Sequence, residues 1–182
     1  MKISTTPSVV VRILLWLILL LGGAWLSIAN DLVAFRKLFA SPLWHLFSFV
    51  LGWTVTGFAF RAAASGGREL ARQGREGEIP RLETNRLVTT GIYACTRHPM
   101  LFGLTLLPLG VALLLGSPTF ILVVAPLEAL FILAMILTLE EREAVAKFGE
   151  AYREYRKRTP LIPRTGECWR KLFGAASEDE EK

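Results

Sequence analysis

Hydrophobic and polar positions along this chain fall into long blocks, with no short amphipathic period until near its end. Apolar runs occupy Val9–Ala29, Leu43–Ala64, Met100–Leu115 and Thr119–Leu139, while charged residues and most turn-forming residues collect between them. Each run is about as long as a helix that crosses the hydrocarbon core of a bilayer, Met100–Leu115 only marginally so. Gly116-Ser117-Pro118 is a turn signal, so the last two runs form a tight antiparallel hairpin. Beyond Glu140 the pattern changes to a charged amphipathic helix reaching about Arg158, in which Ala144, Val145, Phe148, Tyr152 and Tyr155 recur at helical spacing. Thr159-Pro160 and Ile162-Pro163 end it. The pattern therefore predicts an all-α integral membrane protein with about four transmembrane helices in two hairpins and a C-terminal amphipathic helix. One domain is expected over 1–182, made of an N-terminal hairpin (9–64), a loop, hairpin and helix (65–163), and a tail (164–182).

Several positions refine this outline. Lys2, the first apolar run and Ser27-Ile28-Ala29 together resemble a signal peptide. The run is long for that, and Trp16 and Trp25 suit the interfacial ends of a retained helix. Gly22-Gly23 would allow close packing against a neighbour. His45, at the edge of the second run, reads as a satisfied interfacial residue. Gly66-Gly67 is expected to end that run, with Arg68–Gln73 a short surface helix and Gly74–Pro80 a turn. The acidic end, Glu178–Glu181, is expected to be disordered.

Charge adds orientation. The 182 residues carry a formal net charge of +5, but the arginines flank membrane spans, which favours anionic lipid headgroups over nucleic acid. Lys and Arg concentrate in 65–97 and after Glu141, while the connections on the opposite side carry few. The positive-inside rule then puts both termini and the 65–97 segment in the cytoplasm. Cys95 and Cys168 would share that reducing side and stay unpaired. No glycine-rich nucleotide loop, zinc-type Cys/His spacing or Gly-x-Ser-x-Gly elbow occurs.

The hairpin brings sequence-distant chemistry together. Arg97-His98-Pro99 opens the third run and Glu140-Glu141 closes the fourth, so both sit at one membrane face. Taken singly, each motif reads as an interfacial anchor. Together they make a site: proline suits a helix start, and the first-turn amides with Arg97 and His98 suit a carboxylate. Glu140 and Glu141 offer acceptors for an ammonium group or hydroxyls. Glu128, mid-span after Pro126, is a second candidate, since a charge there is costly unless paired or functional.

These motifs carry a resemblance. Leu87-Val88, Gly91, Tyr93, Arg97-His98-Pro99, Glu140-Glu141, Phe148-Gly149, Tyr152, Tyr155 and Pro160 are similar, in order and spacing, to the isoprenylcysteine carboxyl methyltransferase and phospholipid methyltransferase group of membrane enzymes. The resemblance covers roughly the C-terminal half. It implies an S-adenosylmethionine-dependent methyltransferase acting on a lipophilic or membrane-embedded acceptor. It also implies a cofactor site made by Asn85, Arg86, Leu87, Val88 and Tyr93 around the adenosine, with Arg97, His98, Pro99, Met100 and Leu101 at the methionine end, and Glu140 and Glu141 beside them. Glu128 is the candidate on the substrate side; no metal, nucleic acid or particular oligomer is implied. Two positions depart from the pattern. Leu101 stands where the group has a tyrosine, and Ile136 where the prenylcysteine enzymes have a substrate arginine. An NADPH-dependent reductase of the sterol-reductase type and a non-catalytic membrane protein are the alternatives.

Overall fold

A computed structural model describes residues 5–78 and 84–174, with side chains from Val10 onward. Among the described residues the chain is helical and has no strand. Its helices are α1 (Thr5–Ala34), α2 (Arg36–Phe39), α3 (Pro42–Gln73), α4 (Pro99–Leu115), α5 (Ala125–Met135), α6 (Glu141–Arg158) and α7 (Gly166–Phe173). A 3₁₀ turn, Gly91–Ala94, precedes α4, and π-helical segments Phe120–Val124 and Ile136–Glu140 flank α5. Val10–Ala34, Pro42–Gln73 and Phe120–Arg158 are long and apolar enough to cross a membrane, while the apolar helix Pro99–Leu115 has 17 residues, the lower limit for a span. The all-α membrane architecture read from the sequence is what the structure has. The helical stretch Phe120–Arg158 contains 39 residues, more than one span needs, and from Glu140 onward they are largely charged.

The chain divides into two compact units, whose described residues fall within Met1–Thr56 and Leu106–Phe131, and within Gly57–Ile79, Thr84–Thr105 and Ile132–Lys182. In the first, one face of α1 is packed and the rest is exposed apolar surface, as a helix in lipid requires. Leu20, Ala112, Phe120 and Ala125 form its core, joined by Trp16, which is therefore a packing residue, whereas Trp25 is exposed. Gly23 makes the close approach expected of the Gly-Gly pair: a Cβ there would lie 2.6 Å from Val124 Cγ1. Gly22 faces open space. Glu128 is buried under Gly23, and among the described residues no group donates to its carboxyl oxygens.

Polar groups close one end of this unit. The buried Asp31 carboxylate accepts from the Ser117 hydroxyl and from both the backbone N–H and hydroxyl of Thr119. Trp44 donates its indole N–H to Gly116 O (2.7 Å), and Ser48 its hydroxyl to Leu113 O (2.6 Å). His45 bonds Phe39 O at 2.6 Å, the structural role its edge position suggests. The connection from Asn30 to Pro42 is largely helical, because Asp31 extends α1 to the turn it binds and α2 follows at once.

In the second unit α3 meets α4 through small residues. A Cβ on Gly103 would sit 2.4 Å from Ala59 O, and one on Gly66 would sit 2.8 Å from Met100 N. These glycines permit near backbone contact, which is how helices associate where no hydrophobic drive exists between them. The expectation that Gly66-Gly67 ends the helix is accordingly wrong: α3 runs unbroken to Gln73. Cys95 and Cys168 form a disulfide, with Cα atoms 5.3 Å apart, which corrects the expectation of free thiols. Helix α7, within the segment expected as a tail, brings Cys168 to the loop. Leu172 of α7 is fully buried against Val88, Ile92, Tyr93 and Cys95. Thr165 caps α7 by accepting from Cys168 N. The acidic end, Glu178–Glu181, lies outside the described residues.

Asp31→Ala should lower the unfolding free energy by about 1–3 kcal/mol, because three donors lose a buried acceptor. Asp31→Asn, which keeps one carbonyl, should fall between the two. Thermal unfolding in detergent micelles checks this order. Equal stability of all three would show that Asp31 does not hold the turn.

Candidate functional site

In the second unit the loop Thr84–His98, the start of α4 and the inner face of α6 enclose a cavity of about 150 Å³. Its walls are Leu70, Thr84, Arg86, Leu87, Val88, Tyr93, Arg97, His98, Met100, Leu101, Glu140, Ala144, Phe148, Tyr152 and Tyr155. The loop is anchored at its beginning, where Asn85 N and Arg86 N donate to Gly74 O, and Asn85 accepts from Glu76 N and donates to Glu76 O. It is anchored again at its end, where Arg97 N donates to Pro160 O and the Thr96 hydroxyl to Leu161 O. Between them Gly91 turns the chain at φ 57°, a left-handed conformation, and a Cβ there would lie 2.5 Å from Glu69 Oε1.

Helix α6 completes the wall because it bends. Gly149 adopts φ 58° and ψ −130°, outside helical values and open essentially to glycine alone. Past that bend the buried Tyr152 and Tyr155 reach the loop. Tyr155 donates to Tyr93 O at 2.6 Å, and the Tyr152 and Tyr155 rings meet edge to face with centroids 5.8 Å apart. Burial, and then the charge of Glu69, push the Tyr93 hydroxyl well above its ordinary range, so it stays protonated and able to donate.

The charged groups converge on Glu141. Its side chain is 5% exposed and accepts from Arg97 Nη1 (3.3 Å), His98 Nε2 (3.0 Å) and the Tyr152 hydroxyl (3.0 Å). The exposed Arg156 adds Nη1 at 3.5 Å. Arg97 itself is largely buried, and among the described residues its Nε has no acceptor. A buried donor without an acceptor is costly, and it belongs to a residue that lines the cavity beside His98.

The sequence-derived residues thus separate into groups. Arg86, Leu87, Val88, Tyr93, Arg97, His98, Met100, Leu101 and Glu140 line the cavity. Asn85 is exposed and bridges the backbone of Glu76; Pro99 is buried against Gly66; Glu141 lies behind Arg97 and His98. Glu128 belongs to the other unit. Sequence reasoning did not place Leu70, Thr84, Ala144, Phe148, Tyr152 or Tyr155 on the wall. For the last four the helical recurrence in the amphipathic segment was the available signal. Leu70 gave none, because it lies on the part of α3 read as a separate surface helix.

These features define the class of protein: a multi-pass helical membrane protein with a polar and aromatic cavity built between a loop and two helices. The phospholipid methyltransferase family model matches residues 47–151, and the chain belongs to that family. Over 81 residues the chain is 41% identical to the protein-S-isoprenylcysteine O-methyltransferase of Schizosaccharomyces pombe, a match covering 42% of this chain and 34% of that protein. The chain thus aligns with about a third of that relative's length. No solved structure matches it.

Gly149→Ala should cost about 1–3 kcal/mol, since the added Cβ meets open space and only the backbone conformation is strained. Gly67→Ala, equally open but inside regular helix, should be stabilising by about 0.5–1 kcal/mol. Thermal unfolding of the two variants checks the contrast. Two equal shifts would mean that α6 does not need the bend.

Proposed function

We propose that this protein transfers a methyl group from S-adenosylmethionine to a lipophilic acceptor reaching the site from the bilayer. The observation that carries the reading is the pairing of Arg97 and His98 at the start of α4, on the wall of a cavity lined largely by Leu87, Val88, Leu101, Phe148 and tyrosines. Such a donor set suits the carboxylate of an amino acid, and the apolar and aromatic remainder suits a purine. At about 150 Å³ the cavity is smaller than pockets that enclose ligands of this size, so the cofactor would extend past its mouth.

When bound, S-adenosylmethionine supplies an electrophilic sulfonium methyl, displaced in line by the acceptor. The chain's own residues would position and shield it. Arg97 and the first-turn amides of α4 would hold the carboxylate, with His98 beside them at the amino-acid end. Glu140 would accept from the ammonium group or the ribose. Tyr93 would donate a hydrogen bond, and Leu87, Val88, Leu101 and Phe148 would exclude water, so that the reacting atoms meet in fixed geometry.

Ile136 bears on the acceptor. It is 3% exposed and apolar where the resembled prenylcysteine enzymes carry a cation. An unpaired carboxylate beside it would cost several kcal/mol in desolvation. We therefore infer that neutral or amine-bearing lipids, or small apolar thiols, are better acceptors than a prenylcysteine carboxylate, although the yeast relative's name specifies S-isoprenylcysteine. Radiolabel transfer from S-adenosylmethionine to a panel of lipid amines, thiols and prenylcysteines tests this, with His98→Ala and Glu140→Gln expected to abolish transfer while remaining folded. Transfer to the prenylcysteine alone would refute the acceptor assignment. Stabilisation by NADPH and not by S-adenosylhomocysteine would refute the cofactor and favour a reductase; stabilisation by neither would favour a non-catalytic protein.

We propose further that the termini and this site face the cytoplasm, on the Lys/Arg asymmetry, which requires the Cys95–Cys168 bond to be kept from reduction by its packing in the Leu172 core. A cysteine introduced at Arg75 should resist a membrane-impermeant thiol reagent on sealed cells and react after lysis. Reaction in sealed cells would invert the topology.

A further inference from the structure

Glu140 and Glu141 are adjacent, yet they do different things. Glu140 lines the cavity, while Glu141 is buried behind it. The π-helical segment Ile136–Glu140 ends at this pair and shifts the helical register by one residue before α6 begins. That register sends the second carboxylate away from the cavity and into a cage of donors.

We propose that Glu141 is a positioning residue that selects the His98 tautomer and so decides which ring nitrogen meets a ligand. Carboxylates accept and do not donate when ionised. With Arg97, Arg156 and Tyr152 all directing donors at it, Glu141 is held as the anion, and His98 must offer it an N–H. The contact is through Nε2, at 3.0 Å from Oε1, with the Tyr152 oxygen 3.4 Å from the same nitrogen. Nε2 is thereby committed to the carboxylate, which leaves Nδ1 as the nitrogen of this cavity-lining ring that is available to a ligand. In the neutral ring Nδ1 accepts, from an ammonium N–H or a hydroxyl; in the protonated ring it donates, to a carboxylate. Glu141 also accepts from Arg97 Nη1, which orients the guanidinium of this second cavity-lining residue. One carboxylate thus sets two neighbouring groups on the cavity wall. That they meet the amino-acid end of S-adenosylmethionine rests on the function proposed above; the tautomer does not.

The test uses the full chain in nanodiscs with ¹⁵N-labelled histidine. The chain has 2 histidines, so the ring spectrum is simple, and His98→Ala assigns it. The expected result is a His98 ring that carries its proton on Nε2, with a hydrogen-bonded N–H signal lost in Glu141→Gln and kept in Tyr152→Phe. Calorimetry with S-adenosylhomocysteine should show binding weakened about tenfold by Glu141→Gln, as for other partners that orient a ligand-binding histidine. Glu141→Asp should recover part of it, and Glu141→Gln should add little in the His98→Ala background. A parent His98 protonated on Nδ1 with Nε2 bare overturns the proposal without any variant being needed. Weakened binding with the His98 signal intact also overturns it, and makes Glu141 a direct ligand. If the parent binds no S-adenosylhomocysteine, the cofactor reading fails, while the ring spectrum still decides the role of Glu141.

Discussion

A carboxylate that leaves an apolar helix and stays buried must be met by donors, and the second unit is arranged around meeting that demand for Glu141. Its partners come from places far apart in the chain: Arg97 and His98 from the end of the loop, Tyr152 from beyond the bend of α6, and Arg156 one turn later. Breaking a buried ion pair costs about 3–5 kcal/mol, whereas replacing the whole group by well-packed apolar side chains is often neutral. The network is therefore better understood as fixing one arrangement than as a source of net stability. It ties the loop to α6, and the cavity is the space left between them.

Two further restraints keep that space from collapsing or drifting. Small residues let α3 and α4 approach to backbone contact, with Gly103 over Ala59 O and Gly66 over Met100 N, which settles where α4 begins. The Cys95–Cys168 bond and the buried Leu172 hold α7 against the loop beside Tyr93. The site's donors are presented by segments whose backbones are pinned at both ends, as positioning catalysis requires.

Much of this was legible in the sequence, because block hydrophobicity reports lipid exposure directly. The apolar runs, the turn at Gly116 and the return of Glu140-Glu141 towards Arg97-His98 needed only length and spacing, and the His98–Glu141 contact bears them out. The fold departs from the sequence reading where short-range signals compete with packing. Gly66-Gly67 resembled a stop, but in lipid a glycine pair is as often a contact surface, and α3 continues through it. Gly149 sat inside an unbroken amphipathic pattern, so nothing in the periodicity announced the bend. The division of labour between Glu140 and Glu141 depends on a π-helical register that residue types do not encode. The pairing of Cys95 with Cys168 required knowing that the segment after Pro163 forms α7.

The proposed function requires the cavity between the loop and α6 to hold S-adenosylmethionine. Ultraviolet cross-linking of methyl-labelled S-adenosylmethionine to the full chain in nanodiscs, followed by peptide mapping, tests it most directly. Label is expected within Thr84–Leu101 and Glu140–Tyr155, displaced by excess S-adenosylhomocysteine. Label confined to α1 or α5, or label that S-adenosylhomocysteine fails to displace, would contradict it.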